Sequence, residues 1–387
     1  MPYVKSPSFA FLFAVFIFLF CSCSYKQTEQ LTNSPDDSFQ SYSIDLNAKE
    51  KKLKEAVEFI ELMVFEDTDE SLISEVKLSL KYKDMYILVT NEDQDIMFFD
   101  DRGNFIRKFN QLGEGPGEYN RILDIWVQED IIGILDGSGF SIKKYNLEGE
   151  FIGSISLPSP VTHIHPINDQ FLIQTNNNAY QDSLSYKWIL TDKFLNPVNT
   201  YLPFDAPHAF EIAFPANYIR PYKSGLLFYS MFTDSLHTFT GHEFQPFAHI
   251  DFGDKWYWKD ITNPSMKEVN GVQTSDKAWD LSLSVTGNFI FGRTPLGFQG
   301  FLNFMINRKT GLATKLNMTK PDGKLYTMDI EMVDDERFLF SLPSDEIGTL
   351  LKEFDQTQIK YRTGTTLQRI ESQENPVFIW LKFKDSD

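Results

Sequence analysis

Two histidines, His163 and His165, stand at a spacing that suggests metal chemistry. In a β-strand, residues two positions apart project from the same face, so both imidazoles would be offered to one ion. No carboxylate accompanies the pair in sequence, and further ligands would have to come from other parts of the chain. The remaining histidines are scattered at His208, His237, His242 and His249. We therefore predict neither a metal site nor a cofactor.

Motifs for covalent or phosphate chemistry are missing from the sequence. The serine of the Gly-Ser-Gly run at 137–139 lies in a polar turn and lacks the Gly-x-Ser-x-Gly elbow of a serine nucleophile. The Gly-rich loop at 113–119 has no Lys-Ser/Thr ending and leads into a strand, so we interpret it as a tight crossing anchored by Glu118 and Tyr119. With 54 acidic residues, a two-carboxylate glycosidase is neither supported nor excluded. No catalytic residue is assigned.

Three consecutive aromatic residues, Trp256, Tyr257 and Trp258, form the sharpest hint of a binding surface. They lie in an irregular segment, and exposed aromatic clusters mark binding sites. Flat rings suit sugar faces or peptide side chains. The alternative is that the rings cap one end of a hydrophobic core, as buried aromatic residues usually do. We keep all three as candidate ligand-binding residues.

The composition restricts the classes of partner. The 387 residues carry a formal net charge of −18, and 36 of them are phenylalanine. Such an acidic chain lacks the basic surface that releases counterions from nucleic-acid phosphates, which argues against a nucleic-acid partner. The abundance of phenylalanine favours strands over helices. One large all-β domain fits this length.

The first residues resemble a bacterial lipoprotein signal. Lys5 precedes twelve apolar residues at 9–20, a length that suits a signal-peptide core and is too short to span a bilayer comfortably. Cys21, Ser22 and Cys23 follow, so that a small residue directly precedes Cys23. In such signals the chain is cut before a cysteine whose sulfur carries the lipid. A plain cleaved signal and a retained anchor are the alternatives.

The interpretation as a lipoprotein divides the chain into three parts. We predict a signal peptide at 1–22, a flexible polar tether at 23–42 and a single domain at 43–387, with the lipid on Cys23. The membrane is then a partner through this lipid, and the expected location is the bacterial cell envelope, at the outer membrane. The mature chain would have no free thiol for a disulfide or for catalysis.

One phrase of the sequence recurs at an offset of 46 residues. FDDRGNFI at 99–106 returns as YNLEGEFI at 145–152. Each copy is an aromatic strand end, a polar turn containing glycine and a second strand that opens on Phe-Ile. An offset of 46 residues is the length of a four-stranded propeller blade. Equivalent positions recur near 189, 237 and 304, and the irregular segment at 255–281 lengthens the last step.

These repeats predict an all-β fold, a six-bladed β-propeller of four-stranded antiparallel blades. Short helices are expected near both ends of the domain, at 48–58 and 344–354. The strand at 59–65 is expected to pair with the C-terminal strand at 375–384. That pairing would close the ring and remove exposed sheet edges.

The predicted propeller resembles a known family. The loop at 113–119, the phrases around Gly103 and Gly149 and the ending at 374–378 are similar to the six-bladed propeller lipoproteins of Bacteroides-type bacteria, relatives of NHL-repeat propellers. The resemblance covers roughly 59–384. It implies the fold and an envelope location, and it transfers no catalytic residue.

We therefore predict a non-catalytic binding or interaction module whose ligand is a glycan, a peptide or an envelope protein. Arg220 and Arg293 lie near strand starts of different blades and are expected to approach the central channel, so both are candidate ligand-binding residues. The alternative is an enzyme, a lactonase-like or lyase-like propeller with a divalent metal in the channel. A third interpretation is a scaffold within a larger envelope complex. Fold analogy does not choose among these, because propellers serve all three roles.

Overall fold

The computed structural model describes residues 37–385, apart from 138–139, 176–178, 182, 205–218, 224, 231, 262–263 and 327. The predicted signal peptide, Cys23 and His208 lie outside the described residues. Within them, the chain begins with β1 (Gln40–Ser43), β2 (Lys51–Lys52), α1 (Leu53–Ala56) and β3 (Val57–Val64). The helix predicted at 48–58 is thus only the short α1, because strands precede and follow it.

The next twelve strands form three four-stranded antiparallel blades. Blade 1 is β4 (Val76–Tyr82), β5 (Met85–Thr90), β6 (Ile96–Asp100) and β7 (Phe105–Phe109). Blade 2 is β8 (Ile122–Gln128), β9 (Ile131–Asp136), β10 (Ser141–Asn146) and β11 (Phe151–Ser156). Blade 3 is β12 (His163–Ile167), β13 (Gln170–Gln174), β14 (Tyr186–Asp192) and β15 (Pro197–Pro203).

Three further blades complete the ring. Blade 4 is β16 (Ile219–Tyr222), β17 (Gly225–Phe228), β18 (Ser235–Phe239) and β19 (Phe244–Asp251), and α2 (Met266–Gly271) follows it. Blade 5 is β20 (Ser282–Val285), β21 (Phe289–Leu296), β22 (Gly300–Asn307) and β23 (Ala313–Asn317). Blade 6 contains β24 (Asp329–Val333), β25 (Phe338–Leu342), β27 (Val377–Phe383) and β3; α3 (Ser344–Leu351), β26 (Ile359–Tyr361) and α4 (Leu367–Ser372) lie between β25 and β27. The predicted six-bladed propeller is confirmed.

The repeated phrase folds into the same turn in three blades. Asp100, Asn146 and Asp192 are spaced 46 residues apart, and each accepts at its carbonyl the N–H of the residue three positions later, at 3.0, 3.1 and 3.0 Å. That later residue has a positive φ, 83° at Gly103 and 85° at Gly149. A Cβ added to Gly103 would stand 2.1 Å from a backbone oxygen of β3, so this turn requires glycine.

Blade 6 joins the two ends of the domain. The C-terminal β27 lies between β25 and the N-terminal β3, and it runs antiparallel to both. The fully buried Asn375 fixes this junction, because its Oδ1 accepts the N–H of Ile73 at 2.6 Å. Its Nδ2 donates to the carbonyls of Glu66 and Ser71, at 2.8 and 3.0 Å. The predicted closure of the ring by the early and final strands is confirmed.

Blades 4, 5 and 6 each carry a fifth strand from this chain. β1 pairs with β19, β2 with β23 and β26 with β3, and all three pairings are parallel. Ahead of β1, Asp37 forms an ion pair of 2.9 Å with Arg308, whose side chain is 2% exposed. Residues 37–42, which the sequence assigned to the tether, therefore include residues with sheet and ion-pair partners on blades 4 and 5.

The two ends of the propeller differ in their connections. Each blade begins with its inner strand, and the end at which β4, β8, β12, β16, β20 and β24 begin is called here the upper end. The lower end carries short turns, for example at 83–84, 129–130 and 168–169, where several residues adopt positive φ. The upper end carries the longer connections at 110–121 and 252–281. Long loops on a rigid scaffold are where binding sites usually lie, which directs attention to the upper end.

Candidate ligand site at the upper end of the channel

At the upper end, side chains of one blade accept hydrogen bonds from the inner strand of the next blade. At three junctions the acceptor is a side-chain oxygen and the donor is a backbone N–H near the start of the inner strand. The bonds run from Ile122 to Gln94 Oε1 (2.9 Å), from Ile164 to Asp124 Oδ2 (3.1 Å) and from Leu283 to Tyr229 Oη (3.2 Å). Polar side chains are thereby held beside the channel between neighbouring blades.

Blades 2 and 3 bring together Asp124, His163 and His165. The Asp124 carboxylate lies 3.4 Å from His163 Nδ1, and the two imidazole rings stack with centroids 6.4 Å apart. The expected shared face of the two histidines is confirmed. Among the described residues, no three or more His, Cys, Asp or Glu side chains are grouped so that they could hold a metal ion.

Burial and the contacts within the group together set its charges. Burial lowers the pKa of His165 to about 4, against the opposing effect of Asp124, so this imidazole is neutral at pH 7. For Asp124 burial works in the raising direction, but His163, His165 and the N–H of Ile164 outweigh it and hold the pKa of the carboxyl below its usual value. His165 Nε2 and Gln174 Oε1 are shielded from solvent, and neither has a hydrogen-bond partner among the described residues. Gln174 belongs to the same end, because it is paired with His163 across β12 and β13.

Blades 4 and 5 supply a second group, formed by Arg220, Tyr229 and Asp280. Burial raises the pKa of the Tyr229 hydroxyl, while Arg220 lowers it and Asp280 raises it, so both charges act on this hydroxyl. Burial also raises the pKa of Asp280 to about 7. Arg220 Nε and Asp280 Oδ1 are shielded from solvent, and no described residue forms a hydrogen bond with either atom. This group therefore contains a donor and an acceptor that are both unsatisfied.

The second predicted arginine has a different environment. Arg293 lies on β21, the second strand of blade 5, opposite Ser282 of the inner strand. Its Nε donates to Asn303 Oδ1 at 2.9 Å, and its Nη2 donates to the carbonyl of Met328 at 3.2 Å. Arg293 thus joins blade 5 to the segment that leads into blade 6, whereas Arg220 belongs to the inner strand of blade 4.

Of the two interpretations of the aromatic triplet, an exposed binding surface and a cap on the core, exposure is wrong for the two tryptophans. Trp256 and Trp258 are each 3% exposed. Trp256 stacks on Phe252 with centroids 5.7 Å apart, and Trp258 meets Phe232 edge-on at 4.9 Å. Tyr257, which is half-buried, donates its hydroxyl hydrogen to the carbonyl of Glu268 at 2.7 Å. The rings cap the core of blades 4 and 5, because so large an apolar area is more stable when it is packed.

The Gly-rich loop at 113–119 is the predicted crossing between blades. Glu118 Oε2 accepts the N–H of Gly115 at 2.7 Å and closes the loop on itself. Tyr119 is fully buried and donates to the carbonyl of Gln94 at 3.0 Å. The prediction that Glu118 and Tyr119 anchor the crossing is confirmed.

Sequence reasoning missed Asp124, Gln174, Tyr229 and Asp280. A signal existed for two of them. Asp124 interrupts the apolar run at 122–127, and Asp280 directly precedes the alternating segment of leucine, serine and valine that contains β20. A carboxylate at the start of an inner strand of a propeller must lie beside the channel or between blades. Tyr229 and Gln174 carry no comparable signal, because polar residues at strand ends are common.

The fold and the polar site define a six-bladed β-propeller with a candidate ligand site at one end of its channel. The chain belongs to the family described as domain of unknown function DUF4934, whose sequence profile matches residues 41–382. No curated protein matches it. The relation to NHL-repeat propellers stays a prediction.

Two solved structures of Bacteroides proteins are similar to this chain. The protein BF0058 of Bacteroides fragilis, provisionally described as exported, superposes with a TM-score of 0.70 at 13% identity, over 90% of this chain and 100% of its own. A DUF4221 family member from Bacteroides vulgatus gives a TM-score of 0.48 at 12% identity, over 85% of this chain and 99% of its own. At such low identity the first similarity concerns the fold alone.

Proposed function

We propose that this protein is a non-catalytic binding module of the bacterial envelope that holds a peptide segment at the upper end of its channel. One observation carries the proposal. Side chains of blades 3 and 4 and of the segment that leads into blade 5 present polar atoms that are shielded from solvent and have no hydrogen-bond partner in the described part of the chain: His165 Nε2, Gln174 Oε1, Arg220 Nε and Asp280 Oδ1. Such atoms destabilise a fold by about 1–3 kcal/mol each unless something satisfies them. A ligand that reached them would recover that free energy on binding.

The chemistry of these atoms favours a peptide. Arg220 offers a permanent cation, Asp280 a carboxyl, and His165 and Gln174 neutral groups, so the site suits a ligand that carries both donors and acceptors. Peptide backbones and termini have this combination. The burial of Trp256 and Trp258 removes the flat exposed rings on which a sugar-binding interpretation depended.

Export and lipid attachment belong to the same proposal. They are supported by the signal-like sequence that ends at Cys23 and by similarity in fold to a protein provisionally described as exported. No helix in the described part of the chain has the length and apolar character needed to cross a membrane. Labelling cells with a fatty-acid analogue should mark the wild-type protein and leave Cys23→Ala unmarked. Equal labelling of both would contradict the anchor.

The binding proposal is tested by calorimetry on the domain beginning at residue 37. Pools of tetrapeptides would be compared with neutral oligosaccharides as ligands of wild type, Arg220→Gln and Asp280→Asn. We expect a peptide pool to bind wild type and each variant to weaken that binding about tenfold or more, because Arg220→Gln removes the cation and Asp280→Asn removes the carboxyl group. Arg102→Gln, in a lower-end turn, is the matched control and should bind normally. Oligosaccharide binding without peptide binding would overturn the choice of ligand.

A further inference from the structure

The outer edges of the six blades are not equally protected. Fifth strands from this chain cover the edges of blades 4, 5 and 6. The edges of blades 1, 2 and 3 are the strands β7, β11 and β15, and no described segment pairs with them. An unpaired edge strand exposes a row of backbone donors and acceptors to which another chain can add.

Two of these three edges carry features that block strand addition. β7 contains the charged Arg107 and Lys108. β15 begins and ends with proline, and within it Asn199 Oδ1 accepts the N–H of Thr200 at 2.9 Å, which occupies that backbone donor. A positive φ of 56° at Leu202 further distorts this edge. Charges, prolines and distortions are the usual protection of edge strands.

The edge of blade 2 has neither charges nor prolines, and its one distortion, a register shift against β10 at Ile152, lies near the start of the strand. β11 has the sequence FIGSIS, without charge or proline. Phe151 is 43% exposed and Ile152 is 54% exposed. The N–H of Leu157 donates to the carbonyl of Phe140 at 2.8 Å. In an antiparallel pair, every second residue turns its backbone N–H and C=O away from the neighbouring strand. Counting from Leu157, the backbone groups of Ser156 and Ser154 therefore point away from β10. The edge therefore offers apolar side chains and free backbone groups together.

Charge identifies the kind of chain that fits this edge. The only charged residues on β10 and β11 are Lys143 and Lys144. Lys144 lies directly opposite Gly153, and the space where a side chain of Gly153 would stand is empty within 4 Å. The long ammonium side chain can therefore extend across the glycine toward the free edge. A strand added there would meet a lysine and no acidic residue from either strand.

We propose that the outer edge of β11 binds an extended, acidic segment of a partner protein as a fifth strand of blade 2. The chain already makes this kind of contact three times, since β1, β2 and β26 each add to an outer edge in parallel. A second copy fits less well, because two β11 strands related by a two-fold axis would pair antiparallel, whereas all three strands that this chain adds to its own blade edges are parallel.

The test uses a labelled peptide, acetyl-Thr-Val-Glu-Val-Glu-Val-Thr-amide, and the same peptide with lysine in place of glutamate. Added to the domain, the acidic peptide should slow hydrogen exchange at the N–H groups of Ser154 and Ser156 by about tenfold or more, and the basic peptide should not. Ser154→Pro removes an outward donor and should abolish binding, whereas Ser154→Ala should bind normally. Lys144→Gln should weaken binding of the acidic peptide. If Ser154→Pro does not fold, Ser156→Pro serves the same purpose.

Unchanged exchange at Ser154 and Ser156 with the acidic peptide would overturn the proposal, as would normal binding by a folded proline variant. Equal binding of the two peptides would overturn the acidic character of the partner. Light scattering of the free domain measures its oligomeric state and tests whether a second copy binds at this edge. A dimer that forms with increasing concentration and is lost in Ser154→Pro would show that a second copy occupies the edge, and would contradict a separate partner.

Discussion

The carboxylate of Asp124 accepts the backbone N–H of Ile164 at 3.1 Å and so joins blade 2 to blade 3 beside the candidate site. Its other oxygen accepts the N–H of Ile125 at 2.9 Å, and His163 lies 3.4 Å away. One buried carboxylate thus positions the inner strand of the next blade and an imidazole of the site. The site and the contact between blades depend on the same residue.

Replacing Asp124 by asparagine is therefore expected to destabilise the domain by about 1–3 kcal/mol, because a buried charge-assisted acceptor is lost. The pKa of Asp124 is lowered in the folded state, so its contribution is present above the unfolded value and is lost as pH falls through the folded value. Urea unfolding at pH 7 and at pH 3 measures the difference. Asp84→Asn, at an exposed lower turn, is the control and should have little effect. Equal losses in the two variants would contradict the role of Asp124.

Two groups at the site are expected to give opposite pH dependences of stability. Burial raises the pKa of Asp280 to about 7, so the folded protein keeps a proton that the unfolded chain releases near pH 4. The contribution of protonated Asp280 to the free energy of unfolding is therefore lost as pH rises toward 7. Burial lowers the pKa of His165 to about 4. As pH falls, the unfolded chain therefore binds a proton at this residue near pH 6.5, whereas the folded protein binds it only near pH 4. The contribution of neutral His165 to the free energy of unfolding is therefore lost as pH falls from 6.5 toward 4.

Single variants should separate these two effects. Between pH 4.5 and 6.5, the unfolding free energy of Asp280→Asn should rise with pH relative to wild type, by about 1 kcal/mol per unit. For His165→Gln it should fall with pH relative to wild type, by a similar amount. Denaturant titrations at several pH values measure both slopes. Parallel pH profiles for wild type and both variants would show that neither group titrates as its burial requires.

Closure of the ring should depend strongly on Asn375. Its side chain is fully buried and bonds to Ile73, Glu66 and Ser71, all near the junction of β3 with blade 1. Asn375→Ala leaves those backbone groups unpaired, and we expect a loss of about 3 kcal/mol in the free energy of unfolding. Asn104→Ala, in an exposed turn, is the matched control. A loss of less than about 1 kcal/mol would show that the junction is held by other contacts.

The segment before residue 44 should also contribute to stability. A chain that begins at residue 44 lacks β1 and the partner of Arg308, whose guanidinium would remain buried without Asp37. We expect it to be at least about 2 kcal/mol less stable than a chain that begins at residue 37, because an unpaired buried charge is destabilising. Thermal unfolding of the two chains measures this. Equal stability would show that residues 37–43 only rest on the blades.

Much of the fold could be predicted because the local signals repeat. The turns at Asp100 and Asn146 need polar side chains and a glycine at fixed spacing, and each recurrence strengthens the assignment of a blade. The fifth strands could not be predicted in the same way. Gln40–Ser43 is short and polar, and it becomes a strand only because the edge of β19 offers it partners.

The site was harder to predict than the fold. The pairing of His163 with His165 follows from strand alternation, but the partner Asp124 comes from another blade, and only closure of the ring brings the two together. For Trp256 the sequence left two interpretations open, since an aromatic residue in a loop can pack inward or remain exposed. Only the packing of the whole domain determines which of the two occurs, and in this structure Trp256 is buried.

The most direct test of the account observes the imidazole nitrogens of His163 and His165 by NMR while tetrapeptide pools are added to the domain. We predict that at least one pool shifts the signals of both histidines and that Arg220→Gln abolishes the shift, while the signal of His242, in a lower-end turn, stays constant as an internal control. If pools that bind leave His163 and His165 unchanged, or if only neutral oligosaccharides shift them, the proposed peptide site at the upper end of the channel is wrong.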